Sequence, residues 1–127
     1  MIDFNDSNRA IYLQIADDIA DRVLQGVLPP DERIPSVRDY AATVMVNVNT
    51  VMRAYEHLSS LGVIYNKRGL GYFVSAEAAS VITRTRRRDF IDSGAIDRIF
   101  KQLHLLDIST AELNDMYNAY LDKTTQK

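Results

Sequence analysis

Residues 47–53 read Asn-Val-Asn-Thr-Val-Met-Arg, and the polar members of this run share one kind of chemistry. An asparagine amide can pair with adenine, an arginine guanidinium with guanine, and a threonine hydroxyl can reach a base or a phosphate. Asn47, Asn49, Thr50 and Arg53 are therefore suited to reading base edges. Arg38 upstream and Lys67 with Arg68 downstream add cations where a phosphate backbone would pass, and Ser36 beside Arg38 is counted with them as a DNA-binding candidate. Catalytic chemistry is not visible: no nucleophile stands beside a base. His57 and His104 are far apart with no ligand spacing near them, and the chain has no cysteine. Asp17, Asp18 and Asp21 lack a histidine or further carboxylates, so they read as a solvated helix face and not as a metal site. Gly69 and Gly71 are followed by a β-rich run, which opposes a phosphate-binding loop. No catalytic residue, metal or cofactor is expected.

The elements that must position these residues follow from periodicity. Tyr12, Ile15, Ala16, Ile19 and Val23 recur at helical spacing, and Gly26 with Pro29-Pro30 closes that first helix. A loop over residues 28–35 leads to Ser36, which with Asp39 has the form of a capping box with a shortened acid. Val37, Tyr40, Ala41 and Val44 then mark a short second helix. Asn47 can cap a third, whose inner stripe is Val51, Ala54, Tyr55, Leu58 and Leu61 and which Gly62 ends. At about 100° per residue from Val51, Asn49 falls near 160°, Arg53 near 200° and His57 near 240°, away from that stripe. Two short helices joined by a tight turn make a helix-turn-helix. Runs 63–66 and 72–75, rich in β-formers, flank Lys67-Arg-Gly-Leu-Gly71 and read as a β-hairpin, in which glycine supplies positive φ at low cost.

The fold class expected is mostly α with a small β-hairpin: a winged helix-turn-helix over residues 1–76, then a helical hairpin over 77–127. The tail carries two apolar stripes, Ile96, Ile99, Phe100 and Leu103, then Leu113, Met116, Tyr117, Tyr120 and Leu121. A lone helix pair leaves much of that surface wet, so the tail is expected to pair with its copy in a homodimer. It is too short to enclose a drug-sized pocket by itself. An unknown small-molecule effector, where one exists, is expected at a dimer or domain interface. Ahead of both stripes lies the basic stretch 84–88, open to three readings: a solvated part of the linker helix, a phosphate-contacting or nucleoid-facing patch, or interchain pairing with acidic residues.

With 127 residues, 46% of them hydrophobic and 25% charged, the chain has ordinary globular composition and room for about one domain. The net charge of −2 argues against a nucleic-acid partner until its distribution is considered. From Arg33 to Ser75 five basic residues face two acidic ones, whereas the stretch from Met1 to Glu32 holds seven acidic ones and two arginines. One face can be positive on a molecule that is not. No apolar run approaches the roughly 18 residues that span a membrane. The opening residues lack the basic-then-apolar pattern of a secretory leader, and a cytoplasmic protein with no membrane partner is expected. Three classes compete: a DNA-binding regulator, a winged helix that binds protein, and a small enzyme. Only the first needs Asn49, Thr50 and Arg53 on one surface.

Several separate segments carry a resemblance in order and spacing: Ala10-Ile-Tyr-Leu-Gln-Ile15, Leu28-Pro-Pro-Asp-Glu-Arg-Ile-Pro-Ser-Val-Arg38, Val46-Asn-Val-Asn-Thr-Val51, Ala54-Tyr-Glu, and residues 65–74. Over about residues 8 to 76 the chain resembles the GntR family of bacterial regulators, and its short tail is similar to that of the YtrA subfamily. The resemblance implies binding of double-stranded DNA as a dimer on a near-palindromic operator, most often to repress. It assigns Arg38 to DNA backbone or base, Asn47, Asn49 and Thr50 to the start of the recognition helix, Arg53 to a basic position one turn on, and Gly69 to a wing entering the minor groove. The chain departs from the family at Ala10 for a common Pro, Asp31 for Gly, Val48 for Pro or Arg, and Met52 for a frequent basic residue.

Overall fold

The computed structural model describes residues 9–125. The stretch 1–8, on which most of the leader reading and two of the acidic residues fall, and residues 126–127 lie outside the described part. Six helices and two strands follow in order: α1 (Ile11–Leu24), α2 (Val37–Val44), α3 (Val48–Leu61), β1 (Ile64–Lys67), β2 (Gly71–Val74), α4 (Ala78–Asp92), α5 (Ala95–Leu105) and α6 (Thr110–Thr125). The chain divides into two compact units between Arg86 and Arg87.

The first unit is built around one core. Ile15, Ala16, Ile19 and Val23 of α1, Val37, Tyr40 and Ala41 of α2, and Val51, Ala54, Tyr55 and Leu58 of α3 are all buried in it. The stripes seen in the sequence thus face one another, except at their ends. Tyr12 is half-buried and Leu61 lies exposed beside the terminating Gly62. Both caps form as expected. The Ser36 hydroxyl accepts the Asp39 N–H at 3.1 Å, and the Asn47 side chain accepts the Asn49 N–H at 2.8 Å. Each satisfies a donor that the first helical turn leaves without a partner. Met45, in the turn between α2 and α3, has a left-handed backbone with φ of 58°.

The strands pair antiparallel, with Tyr65 opposite Phe73 and Lys67 opposite Gly71. Residues 31–34, read from the sequence as plain loop, run along the free edge of β2. The Ile34 N–H donates to the Tyr72 carbonyl at 3.0 Å and the Val74 N–H to the Glu32 carbonyl at 2.9 Å. Arg33 and Phe73 form a bridge there. Prolines at 29, 30 and 35 and the charged run 31–33 erase any alternation by which this pairing could have been foreseen. Tyr55 locks the same segment from the core side, its hydroxyl donating to the Pro35 carbonyl at 2.6 Å.

The first unit also includes residues that the sequence-drawn boundary at 76 assigned to the tail. Ala78 and Ile82, on the first turns of α4, are buried in its core. Arg86 donates to Asp21 at 2.7 Å and to the Asp17 carbonyl at 3.2 Å. In the second unit no residue of α5 or α6 is buried. No helix among the described residues is long and apolar enough to cross a membrane.

Candidate nucleic-acid interface

The surface begins with α3, which the core fixes in rotation. With Val51, Ala54 and Tyr55 wholly buried, Asn49 and Arg53 fall on the side of the helix turned away from that stripe. Asn47 and Asn49 are exposed at its N-terminal end, Thr50 is half-buried, and Arg53 is exposed one turn on. Arg53 is not free in orientation: its guanidinium lies over the Tyr12 ring, 4.2 Å from the centroid. His57 meets the same ring edge-on at 6.1 Å and is half-buried, so it sits in the α1–α3 seam and not on the outward polar face expected of it. Tyr12 was legible only as a stripe residue; its role as a platform for Arg53 needed the packing of α1 on α3.

Ser36 and Arg38 stand at the start of α2. The Ser36 hydroxyl is committed to capping, and Arg38 is exposed on the first turn. The wing carries Lys67, Arg68 and Gly69, all exposed. The Lys67 ammonium lies 5.1 Å from the Phe73 ring centroid, and that ring stacks on Tyr65 at 5.8 Å. Gly69 has φ of 79° and open space where a Cβ would stand. Gly71 is different: its φ is 110°, and an added Cβ would meet Arg33 Nε at 3.0 Å. Arg33 is thus a cation beside the wing that sequence reasoning counted in the charge balance but did not place at the site. Its only signal was its place among the basic residues of the central stretch.

Several other titratable groups are paired within the chain. Asp17 pairs with Arg9 at 3.0 Å, Asp18 with Arg22 at 3.3 Å, and Asp21 with Arg86 at 2.7 Å. The acidic face of α1 is therefore an ion-pair face, and among the described residues no group of three possible ligands could hold a metal. Of the stretch 84–88, Arg86 is drawn into these pairs within its own chain. Tyr40 donates to Asp18 at 2.9 Å. Burial first, and then the Asp18 carboxylate, raises the Tyr40 pKa well above the ordinary tyrosine value. Burial raises that of Tyr55 likewise, with smaller contributions from Tyr72 and Asp39. Neither hydroxyl is a proton-transfer group at neutral pH.

A buried three-helix core, a polar recognition-helix face and a cation-bearing wing are the parts of a DNA-reading winged helix. The family model described as bacterial regulatory proteins, gntR family, matches residues 11–74, which hold every one of these parts. The chain belongs to the gntR family. It is a DNA-binding transcription regulator of that family, and the family's members are regulators, not enzymes. A GntR-family transcriptional regulator from Bacteroides thetaiotaomicron superposes with a TM-score of 0.79 at 46% identity, over 91% of this chain and 99% of that one. The HTH-type regulator YhcF of Bacillus subtilis is 35% identical over 107 residues, 84% of this chain and 86% of that protein. The HTH-type repressor YtrA of the same organism is 36% identical over 76 residues, which are 60% of this chain and 58% of that protein.

Proposed function

We propose that this GntR regulator is a repressor that binds a near-palindromic operator as a homodimer, in the cytoplasm where its DNA lies. The observation that carries the reading is the rotation of α3: Val51, Ala54, Tyr55 and Leu58 are buried while Asn47, Asn49 and Arg53 remain exposed. In a winged helix such a face enters the major groove, and a two-fold dimer sets two of them in successive grooves. Arg38, Lys67 and Arg68 would grip phosphates, with Gly69 at the wing tip near the minor groove. The exposed apolar residues of α5 and α6 support pairing of two tails. Repression is supported by the repressor YtrA among the relatives. A small-molecule effector, if the protein responds to one, would bind at the dimer or domain interface.

The test is footprinting on DNA flanking the protein's own gene, followed by affinity against salt for that operator and for random duplex. Binding should weaken steeply with salt, because each phosphate contact releases counterions. Arg38→Ala, Lys67→Ala and Arg68→Ala should weaken all sequences alike, each lowering the slope by roughly one unit. Unchanged slopes in all three would overturn the docking orientation. A protected region lacking two-fold symmetry would overturn the dimeric operator.

A further inference from the structure

On the first two turns of α3 the polar reading leaves two exposed side chains without a role. Val48, the first residue of the helix, is 40% exposed and Met52, one turn later, 37%. Residues four apart on a helix are neighbours on one face. Val48 and Met52 each precede Asn49 and Arg53 by one residue, so they lie about 100° round the helix from that polar pair. The first two turns therefore carry two strips side by side: an apolar strip of Val48 and Met52 on the flank of the buried stripe, and a polar strip of Asn49 and Arg53 beyond it. Met45, 80% exposed, stands just ahead of them in the turn from α2.

This inference rests on α3 being the recognition helix. The apolar group that base edges offer in the major groove is the C5 methyl of thymine. Cytosine presents an amino donor on its corresponding edge, and a donor covered by a valine or methionine side chain is left without a partner, which costs free energy. Cations at Arg38, Lys67 and Arg68 attract any duplex equally and supply no such choice. We propose that Val48 and Met52 read thymine methyl groups, so that each operator half-site carries T·A pairs under the start of α3, beside the base that Asn49 reads. At Val48 and Met52 the chain would then select by methyl contact, with no charge available at either position to pair with guanine.

The experiment uses the full chain and its footprinted operator. Each thymine is replaced in turn by deoxyuridine, which keeps the hydrogen-bonding pattern and removes only the methyl. Expected is a loss of about three- to fivefold in affinity, the value of one buried methyl, at one or two positions per half-site and nowhere else. Val48→Ala or Met52→Ala should bind the thymine operator more weakly and no longer distinguish it from the matching deoxyuridine duplex. Wild-type indifference to every replacement, with tight operator binding intact, overturns the methyl reading alone. The same holds if both variants keep full sensitivity, since the methyl is then felt elsewhere. Failure to bind any duplex overturns the underlying assignment of α3. The wild-type scan needs no variant, so a variant that does not fold leaves the outcome decided.

Discussion

Arg53 shows what a single residue gains from its surroundings. An arginine on the outer face of a helix ordinarily samples many rotamers, and ordering it costs conformational entropy on binding. Here the Tyr12 ring holds the guanidinium 4.2 Å from its centroid, a cation–π contact of about 0.5–1 kcal/mol at an exposed site. Part of the ordering is then complete before DNA arrives. Arg53→Ala should weaken operator binding by about 1–3 kcal/mol if the side chain reads a base, with a smaller loss on random duplex. Tyr12→Leu keeps the apolar bulk and removes the ring face, and should cost less. In the double variant the losses should fall short of additive by about 0.5–1 kcal/mol. Strict additivity in a titration of all four proteins would remove the Tyr12 platform from the binding reaction. Asn47 and Ser36 were legible as caps because a short polar side chain just ahead of an apolar period has few other uses. Tyr12 was not, since its spacing only announced a buried stripe.

At the scale of elements, the three helices and the hairpin were readable because each carries its own period. The strand-like segment 31–34 was not, because its partners lie far along the chain and its prolines and charges mask its pairing. It is held by its bonds to β2 and by Tyr55, whose wholly buried ring sets its hydroxyl 2.6 Å from the Pro35 carbonyl. This arrangement has a pH signature. Tyr55 and Tyr40 both have folded-state pKa values raised above the ordinary value of 10.0, burial being the main cause. The unfolded chain therefore releases these protons first, so it binds fewer protons than the native state above about pH 10. The sign of the linkage makes stability fall with rising pH from that point, and the contribution is fully present below it. Thermal melts should show a plateau through neutral pH and a steep decline beyond about pH 10. Tyr55→Phe should lower stability at neutral pH by about 1 kcal/mol through the lost hydrogen bond and make the alkaline decline shallower. A decline as steep as that of the wild type would mean that Tyr55 does not titrate on unfolding in the way described.

At the scale of the whole molecule, the compact units divide within α4, between Arg86 and Arg87, later along the chain than the boundary expected at residue 76. Ala78 and Ile82 complete the first core, Arg86 ties α4 back to Asp21, and only then does the chain enter the second unit. That second unit has the wrong surface for isolation in water. Ile96, Leu103 and Leu113 are half-buried, and Ile99, Phe100, Met116, Tyr117 and Tyr120 are exposed, the last four by half or more. Exposed apolar side chains in this number suit the proposed interface, and a second copy offers the same surface in return, as a two-fold contact requires. The proposed dimer is testable without removing the tail. Phe100→Glu with Tyr117→Glu places charges where burial is expected and leaves every residue of the first core unchanged. Light scattering should give a dimer for the native chain and a monomer for this variant, with the melting of the winged unit retained. Operator affinity should fall by about a hundredfold or more, because the second half-site contact is no longer intramolecular. A chain ending at Arg88 should behave the same way, whereas one ending at Ala79 loses Ile82 from the core and tests folding instead. If the double variant stays dimeric with undiminished operator binding, the two chains meet through some other surface and α5 and α6 must have another occupant.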